Sequence, residues 1–355
     1  MKGRKRTNLE HFFEESFGRE VWVGVDVHKR SYSVAICRDD GVMVSWKTAA
    51  DNDALVRQLT TPGMVIKSLA YESGPTGFSL ARTCFKAGIP AIVAAPSRIT
   101  RPVSPTAKTD SLDCRKLAYL AAKDMIHPIA VPSEEEEALR ALERRRHQLA
   151  DNQRKVRQRI KGFLLFHGIE EPVGLERWTI LAVQALAQMP LNEMLREVLD
   201  DYLEELRFVR HKILVLERKL AGYTAMLHQR RLVCLQSVPG VGRIVACSFL
   251  AELFRPERFH RGEEVAAYLG LAPFVKHSGE RTPTGRLRPA GHSRLRSLLV
   301  EAAWVWKSKD SGIQALYTRI LCNTGLAQKA ITAVARKLSI ILWRLACEIR
   351  EYRPA

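Results

Sequence analysis

Val21-Trp22-Val23-Gly24-Val25-Asp26 and Val65-Ile66-Lys67-Ser68-Leu69-Ala70-Tyr71-Glu72 are two short runs rich in β-branched and aromatic residues, each ending in a carboxylate. Such runs read as buried strands, so Asp26 and Glu72 fall at strand ends. Further on, Lys108-Thr109-Asp110-Ser111-Leu112-Asp113 flows into Leu117-Ala118-Tyr119-Leu120-Ala121-Ala122, a helix start that carries Asp110 and Asp113 three residues apart on one face. Four carboxylates placed in this way suit a site for hard cations. Oxygen-only ligands select Mg²⁺ or Mn²⁺, and two such ions about 4 Å apart stabilise the attacking and leaving oxygens of a phosphoryl transfer. Any one of these acids could simply cap a turn or favour a helix dipole; the joint placement carries the metal reading.

Outward from these runs, residues 21–130 read as strand, strand, strand, helix, strand, helix, strand, helix. Turn signals stand at Asp39-Asp40-Gly41 and Thr61-Pro62-Gly63. Hairpin-linked strands followed by alternating strands and helices make a mixed sheet covered by helices, the pattern expected of a ribonuclease-H-like domain. Residues 1–20 open on Met1-Lys2-Gly3-Arg4-Lys5-Arg6, a basic terminal arm.

At Val131-Pro132-Ser133 the character changes. A long helix begins there, with apolar residues at Leu139, Leu142, Leu149, Val156, Ile160 and Phe163, interrupted by Arg146 and Gln153. A cleaner heptad seam follows at Leu195, Leu199, Tyr202, Leu206, Val209, Ile213, Leu216, Leu220 and Tyr223. Residues 131–230 are therefore expected to form a coiled-coil region that drives dimer or tetramer assembly, with an intramolecular hairpin as the alternative. Residues 231–355 read as an all-helical domain. The fold class expected is thus α/β plus all-α.

The chain holds 56 Lys and Arg against 38 Asp and Glu, a formal charge of +18, the footprint of a polyanion binder. No apolar stretch of about 18 residues and no signal-peptide pattern argues for a membrane, which leaves a cytoplasmic nucleic-acid protein as the expectation. The seven cysteines are scattered without paired ligand spacing, and the histidines form no zinc pattern; His28, beside Asp26, is read as a neighbour of the site and not a ligand. Two further features are candidates for phosphate contact. Val238-Pro239-Gly240-Val241-Gly242 is a tight turn entering a helix, which can present backbone N–H groups. Residues 276–296 hold Lys276, Arg281, Arg286, Arg288, Arg294 and Arg296 against one acid, Glu280, among small turn-forming residues. A Gly- and Arg-rich loop of this kind can grip a phosphate.

Three blocks together resemble one family, the DEDD transposases of the insertion-sequence family numbered 110, which includes the Piv-type invertases. The first is Val23-Gly24-Val25-Asp26-Val27-His28-Lys29 with Tyr71-Glu72-Ser73-Gly74-Pro75 and the Lys108 to Asp113 stretch, which matches the family's RuvC-like acidic tetrad. The second is Ser237-Val238-Pro239-Gly240-Val241-Gly242. The third runs from Tyr268-Leu269-Gly270-Leu271-Ala272-Pro273 through Ser278-Gly279 to Leu295-Arg296-Ser297-Leu298-Leu299-Val300-Glu301-Ala302-Ala303 and looks like the family's transposase domain. Departures are Cys114, where an Ala is common, and Gly291-His292, where the family usually has Gly followed by Asn or Asp.

The resemblance implies a prokaryotic, nucleoid-associated recombinase in which Asp26, Glu72, Asp110 and Asp113 bind Mg²⁺ and Ser278 attacks a DNA phosphate to form a covalent phosphoserine link. It also implies a structured noncoding bridge RNA that pairs with donor and target DNA, delegating sequence reading to base pairing. Two alternatives stand beside it: a metal-dependent, structure-selective nuclease in which water attacks, and a non-catalytic nucleic-acid-binding scaffold. The charge alone makes a prediction. Affinity for nucleic acid should fall steeply between 50 and 200 mM salt as counterions are released, by roughly a thousandfold for about six phosphate contacts; a flat salt titration in filter binding would remove the electrostatic argument.

Overall fold

Strands β1 (Glu20–Val27), β2 (Ser31–Arg38) and β3 (Met43–Ala49) pair antiparallel in succession. The turn between the last two closes at Gly41, whose φ of 86° suits a residue without Cβ. After α2 (Asn52–Thr60), strand β4 (Val65–Glu72) returns parallel to β1, and after α3 (Ser79–Lys86), strand β5 (Ala91–Ala94) lies parallel to β4. The sheet order is β3-β2-β1-β4-β5, and α4 (Asp110–Ala122) closes the set, the arrangement expected of a ribonuclease-H-like domain. The computed structural model describes residues 8–96, 110–275, 284–287 and 291–354, with the backbone alone for 110–112, 274–275 and 284–287. The chain divides into two compact units, Met1–Ser133 and Glu134–Ala355.

In the first unit, alternation along β1 separates two apolar layers. Val21, Val23 and Val25 pack with Leu55 and Leu59 of α2 and with Leu80, Ala81 and Cys84 of α3. On the other side, Ala70 packs with Leu117, Leu120 and Ala121 of α4, while Ala35 and Cys37 meet Cys114 and Ala118. A Cβ at Gly24 would stand 2.1 Å from the Cys114 carbonyl oxygen and 2.4 Å from the Ala118 nitrogen, so α4 touches the sheet where residue 24 lacks a side chain. The terminal arm expected over residues 1–20 is corrected in its second half. Residues Asn8–Glu15 form α1, and Phe12 is buried in the layer under α2 because the heptapeptide after the basic tip carries two phenylalanines that the sheet can cover.

The second unit opens with α5 (Glu134–Phe166), then α6 (Ile180–Gln188) and α7 (Glu193–Gln236). Helices α5 and α7 form an antiparallel hairpin: Leu139 shares a cluster with Leu220, Leu149 with Val209 and Ile213, and Val156, Ile160 and Leu164 with Leu199, Leu203 and Leu206. Arg146, which interrupts the first seam, is matched by Glu217 of the second. The heptad seam of α7 is thus largely covered from within the chain, and its regularity no longer argues by itself for a second copy. The expected boundary at 230/231 is also displaced, since α7 runs across it with a break in helical geometry at His228 (φ −142°).

Beyond it, α8 (Arg243–Leu253), α9 (Gly262–Tyr268), α10 (Ser293–Lys309), α11 (Ser311–Thr324) and α12 (Ala327–Glu348) enclose one apolar core with Trp306 fully buried. The region is not all helical as expected. Strands β6 (Pro273–Val275) and β7 (Thr284–Leu287) pair antiparallel, Pro273 opposite Leu287 and Val275 opposite Thr284, where the turn-forming composition of 276–290 disfavours a helix.

Gly24 yields the sharpest test of this packing. Gly24→Ala should destabilise the first unit by about 3 kcal/mol, because both clashing atoms are backbone and α4 must move off the sheet; thermal unfolding followed by circular dichroism measures it, and a melting curve unchanged from the parent would contradict the contact.

Candidate functional site

The carboxylates come together through strand register. Val25 of β1 pairs with Tyr71 of β4, so Asp26 and Glu72 each follow by one step at the same end of adjacent parallel strands. Side chains alternate, which places Asp26 on the face of Gly24 and Glu72 on the face of Ala70. Both are the face covered by α4. Asp113 precedes Cys114, the residue whose carbonyl lies against Gly24, and its side chain is exposed; Asp110 begins the same helix, with its side chain outside the described set. Asp26 and Glu72 thus stand at the same end of two central strands, and Asp110 and Asp113 fall in the first turn of the helix that covers that face.

Among the described residues no group of three or more His, Cys, Asp or Glu side chains is close enough to hold a metal ion; the Asp110 side chain is not among them. The donor chemistry nevertheless fits a hard divalent cation. The acids present only oxygen, and the one nearby sulfur is withdrawn, because Cys114 is fully buried and its thiol is raised by burial and, more weakly, by the Asp26 charge. His28 Nε2 lies 3.0 Å from Asp26 Oδ2.

The second unit holds the basic segment. Lys276, Ser278, Arg281 and Arg288 lie outside the described residues, and Arg286 sits on β7 with its backbone alone described. The two ends of the β6–β7 hairpin meet at a pair of glycines. A Cβ at Gly291 would stand 2.5 Å from the Gly270 nitrogen, so the chain leaving the hairpin touches the chain entering it. Arg296 donates through Nη1 to the Gly270 carbonyl at 3.2 Å.

Arg294 is turned inward: its Nη2 reaches Glu252 Oε1 at 2.9 Å. Glu252, on α8, is 2 % exposed and also receives Arg140 and Arg144 from α5 at 3.2 and 3.3 Å, with His292 Nδ1 at 3.6 Å. The contacts of Arg294 and Arg296 are thus with the protein interior, whereas the sequence offered them as phosphate contacts. Burial would raise the Glu252 carboxyl, but His292 and the guanidiniums around it outweigh burial and hold it below the ordinary value. Glu143 of α5, also 2 % exposed, is raised by burial and by the adjacent Glu252 charge. His292, whose ring meets the Tyr268 ring at 4.6 Å in a tilted contact, is lowered, first by burial. Sequence reasoning missed Glu252. The signal was available: it is the one acid in the apolar run Ile244-Val245-Ala246-Cys247-Ser248-Phe249-Leu250-Ala251-Glu252-Leu253, and a charge on such a helix needs a partner.

Comparison with known proteins points to transposases for both parts of the chain. Residues 23–168, which contain all four acids and α4, match the DEDD transposase family of IS110 type, described as "Transposase". Residues 233–318, from the end of α7 into α11, match the family described as "Transposase IS116/IS110/IS902 family". A putative transposase of Sinorhizobium fredii, y4qE, is 29 % identical over 94 % of this chain and 90 % of its own length. The transposase for insertion sequence element IS1533 of Leptospira borgpetersenii is 26 % identical over 95 % of this chain and 97 % of its own. That for IS1111A of Coxiella burnetii is 26 % identical over 77 % and 75 %. Both family regions are present in order, and relatives are matched along nearly the whole chain, so the chain is similar to IS110-type transposases in both of its units.

Proposed function

We propose that this chain is the transposase of an insertion element, a site-specific recombinase that cuts and rejoins DNA with the acids of the first unit and a serine of the second. The placement of Asp26 and Glu72 at adjacent strand ends, with Asp110 and Asp113 in the first turn of the helix that covers that face, supports the reading most, because hydrolysis or transfer at a phosphodiester needs concentrated positive charge at the phosphate and the protein supplies oxygen donors to hold it. Bound Mg²⁺ or Mn²⁺ would supply Lewis-acid stabilisation of the phosphate oxygens. The carboxylates hold and orient that charge, and one of them, or solvent, accepts the proton of the attacking hydroxyl.

Ser278 is the attacking group. Its Oγ forms a bond to phosphorus as the P–O bond to the leaving sugar oxygen breaks; that oxygen leaves as a hydroxyl, and rejoining runs the same exchange in reverse. Lys276, Arg281, Arg286 and Arg288 hold the scissile phosphate, whose charge matches a segment with one acid among its basic residues. A structured guide RNA reads donor and target DNA by base pairing, which accords with a +18 chain that carries no evident base-reading motif. The protein works in the bacterial cytoplasm, on the nucleoid; among the described residues no helix is long and apolar enough to cross a membrane.

Self-association is part of the proposal. It is supported by exposed Leu165, Phe166, Val173, Ile180, Leu181 and Met194, which gather around the connection between α5 and α7. A dimer that assembles further into a tetramer would bring two DNA partners together.

Labelled DNA incubated with protein, guide RNA and Mg²⁺ and run on a denaturing gel tests the chemistry. The parent should give a covalent protein–DNA adduct, Ser278→Ala none, and Asp26→Asn a yield lower by about 100-fold or more. An adduct that persists in Ser278→Ala points to another nucleophile, with Ser293 the next to test; cleavage without any adduct points to the nuclease, in which water attacks. Sedimentation of the Phe166→Ser, Leu181→Ser variant should show a smaller species than the parent, and an unchanged mass would remove the apolar end of the hairpin from the assembly.

A further inference from the structure

A glutamate on the buried face of α8 has no reason to be there for packing. Residues Ala246 to Leu253 are all buried, and a carboxylate among them is costly unless it is paired on several sides. Well-packed apolar replacements of buried ion pairs are often as stable or more so, so the pairs of Glu252 are better read as fixing a geometry than as adding stability.

The partners divide into two sets. Arg140 and Arg144 come from α5, and they hold the carboxylate from the side of the long helical hairpin. Arg294 and His292 come from the start of α10, the first described residues after β7 apart from Gly291. Two more contacts bind the other strand's approach to the same point. The Tyr268 hydroxyl donates to the Glu252 carbonyl at 3.2 Å, and the Tyr268 ring contacts the Arg258 guanidinium at 4.7 Å and the His292 ring at 4.6 Å. Two residues on, Gly270 packs against Gly291 and accepts from Arg296. The chain entering β6 and the chain leaving β7 are therefore pinned to one buried residue. Glu143 completes the titratable groups around it.

We propose that Glu252 is a positioning residue of the transposase. Its charge draws Arg294 and His292 onto α8 and thereby sets where both ends of the β6–β7 hairpin stand, so the reaction carried between those ends depends on a side chain that touches neither DNA nor metal. This rests on the reading that the segment between β6 and β7 supplies the attacking serine. Without the carboxylate, three guanidiniums converge on one another, and the third, Arg294, is the one free to swing away with the hairpin's C-terminal end.

The test compares the parent protein with Glu252→Gln, Arg294→Gln and the double variant, each loaded with guide RNA, DNA and Mg²⁺. Absence of adduct in the parent would be a failure of the serine reading, and is distinguishable from a loss confined to the variants. Given a parent adduct, both single variants should form it slower by about 30- to 100-fold, since displacing a reacting group by an ångström can cost that much. Nucleic-acid affinity should stay within about threefold, and the double variant should be no slower than the slower single, because the two side chains act as one link. Hydrogen exchange should quicken in peptides covering 268–275 and 284–296 of Glu252→Gln, and stay unchanged in peptides of the first unit. An adduct rate within threefold of the parent, or losses that multiply in the double variant, would overturn the proposal. Should Glu252→Gln fail to fold by circular dichroism, Arg294→Gln decides alone, since its side chain is only partly buried: an unchanged adduct rate overturns, and a slowed rate with unchanged affinity supports.

Discussion

Helix α4 reaches the sheet at Gly24, and the placement of the acids in the first unit depends on that contact. A helix normally stands about 10 Å from the sheet it covers, separated by two layers of side chains. Here the Cys114 carbonyl and the Ala118 amide occupy the space of a missing Cβ, flanked by Ala35, Ala70 and Ala118, so backbone lies nearly on backbone. The consequence is a short distance between the strand ends and the first turn of the helix. Carboxylates have short side chains, and Asp26 with Asp113 can address a common ion only if their backbones are already close. Small residues at this interface are thus a condition of the proposed metal site even though none is offered as a ligand.

The second unit solves a related problem in the opposite way. Its β6–β7 pair stands on a helical core, and a two-stranded ribbon of three and four residues has little stability of its own. Close approach of Gly270 and Gly291 joins the two ends, but glycines alone leave the joint free to pivot. Charge supplies the direction. Ion pairs buried to this degree act at low dielectric and are lost if the geometry slips, so they define a position more sharply than apolar contacts, which tolerate sliding.

Much of the first unit is legible in the sequence because its signals are local. Strand runs, turn residues and the carboxylates at strand ends lie within a few positions of one another, and the order of the elements leaves few topologies open. The meaning of Gly24 is not legible, since its partner lies ninety residues away in a helix whose approach only the packed sheet defines. The heptad seam of α7 is a buried stripe, as its periodicity predicts, but most of its cover comes from α5 and not from a second chain: periodicity reports that a face is covered, never by what. Arg146 opposite Glu217 is the missing clue, visible only once α5 and α7 are set antiparallel. Glu252 stands out in an apolar run, yet its four partners come from positions 140, 144, 292 and 294, beyond the reach of any pattern along the chain.

Net charge is a guide to partners, and the ion pairs limit how far it can be carried to sites. The surplus of +18 is a sum over the whole chain. Along the helical hairpin, Arg146 pairs with Glu217, Arg154 with Asp151, Arg159 with Glu205 and Lys161 with Glu171, so much of the basic face of α5 is neutralised by acids beside it or across on α7 and its approach. Arg140, Arg144 and Arg294 are spent inside the protein on one carboxylate. The exposed pairs among these, at Arg154, Arg159 and Lys161, contribute little to stability and open readily, so they can exchange a carboxylate for a phosphate at small cost; the buried ones cannot. A long-range field that steers a polyanion is therefore set by the total, whereas the phosphate at the reacting centre is held by cations that have no internal acid to satisfy. The proposed phosphate contacts Arg281, Arg286 and Arg288 lie in a stretch of sequence whose one acid is Glu280, whereas Arg294 is committed to Glu252.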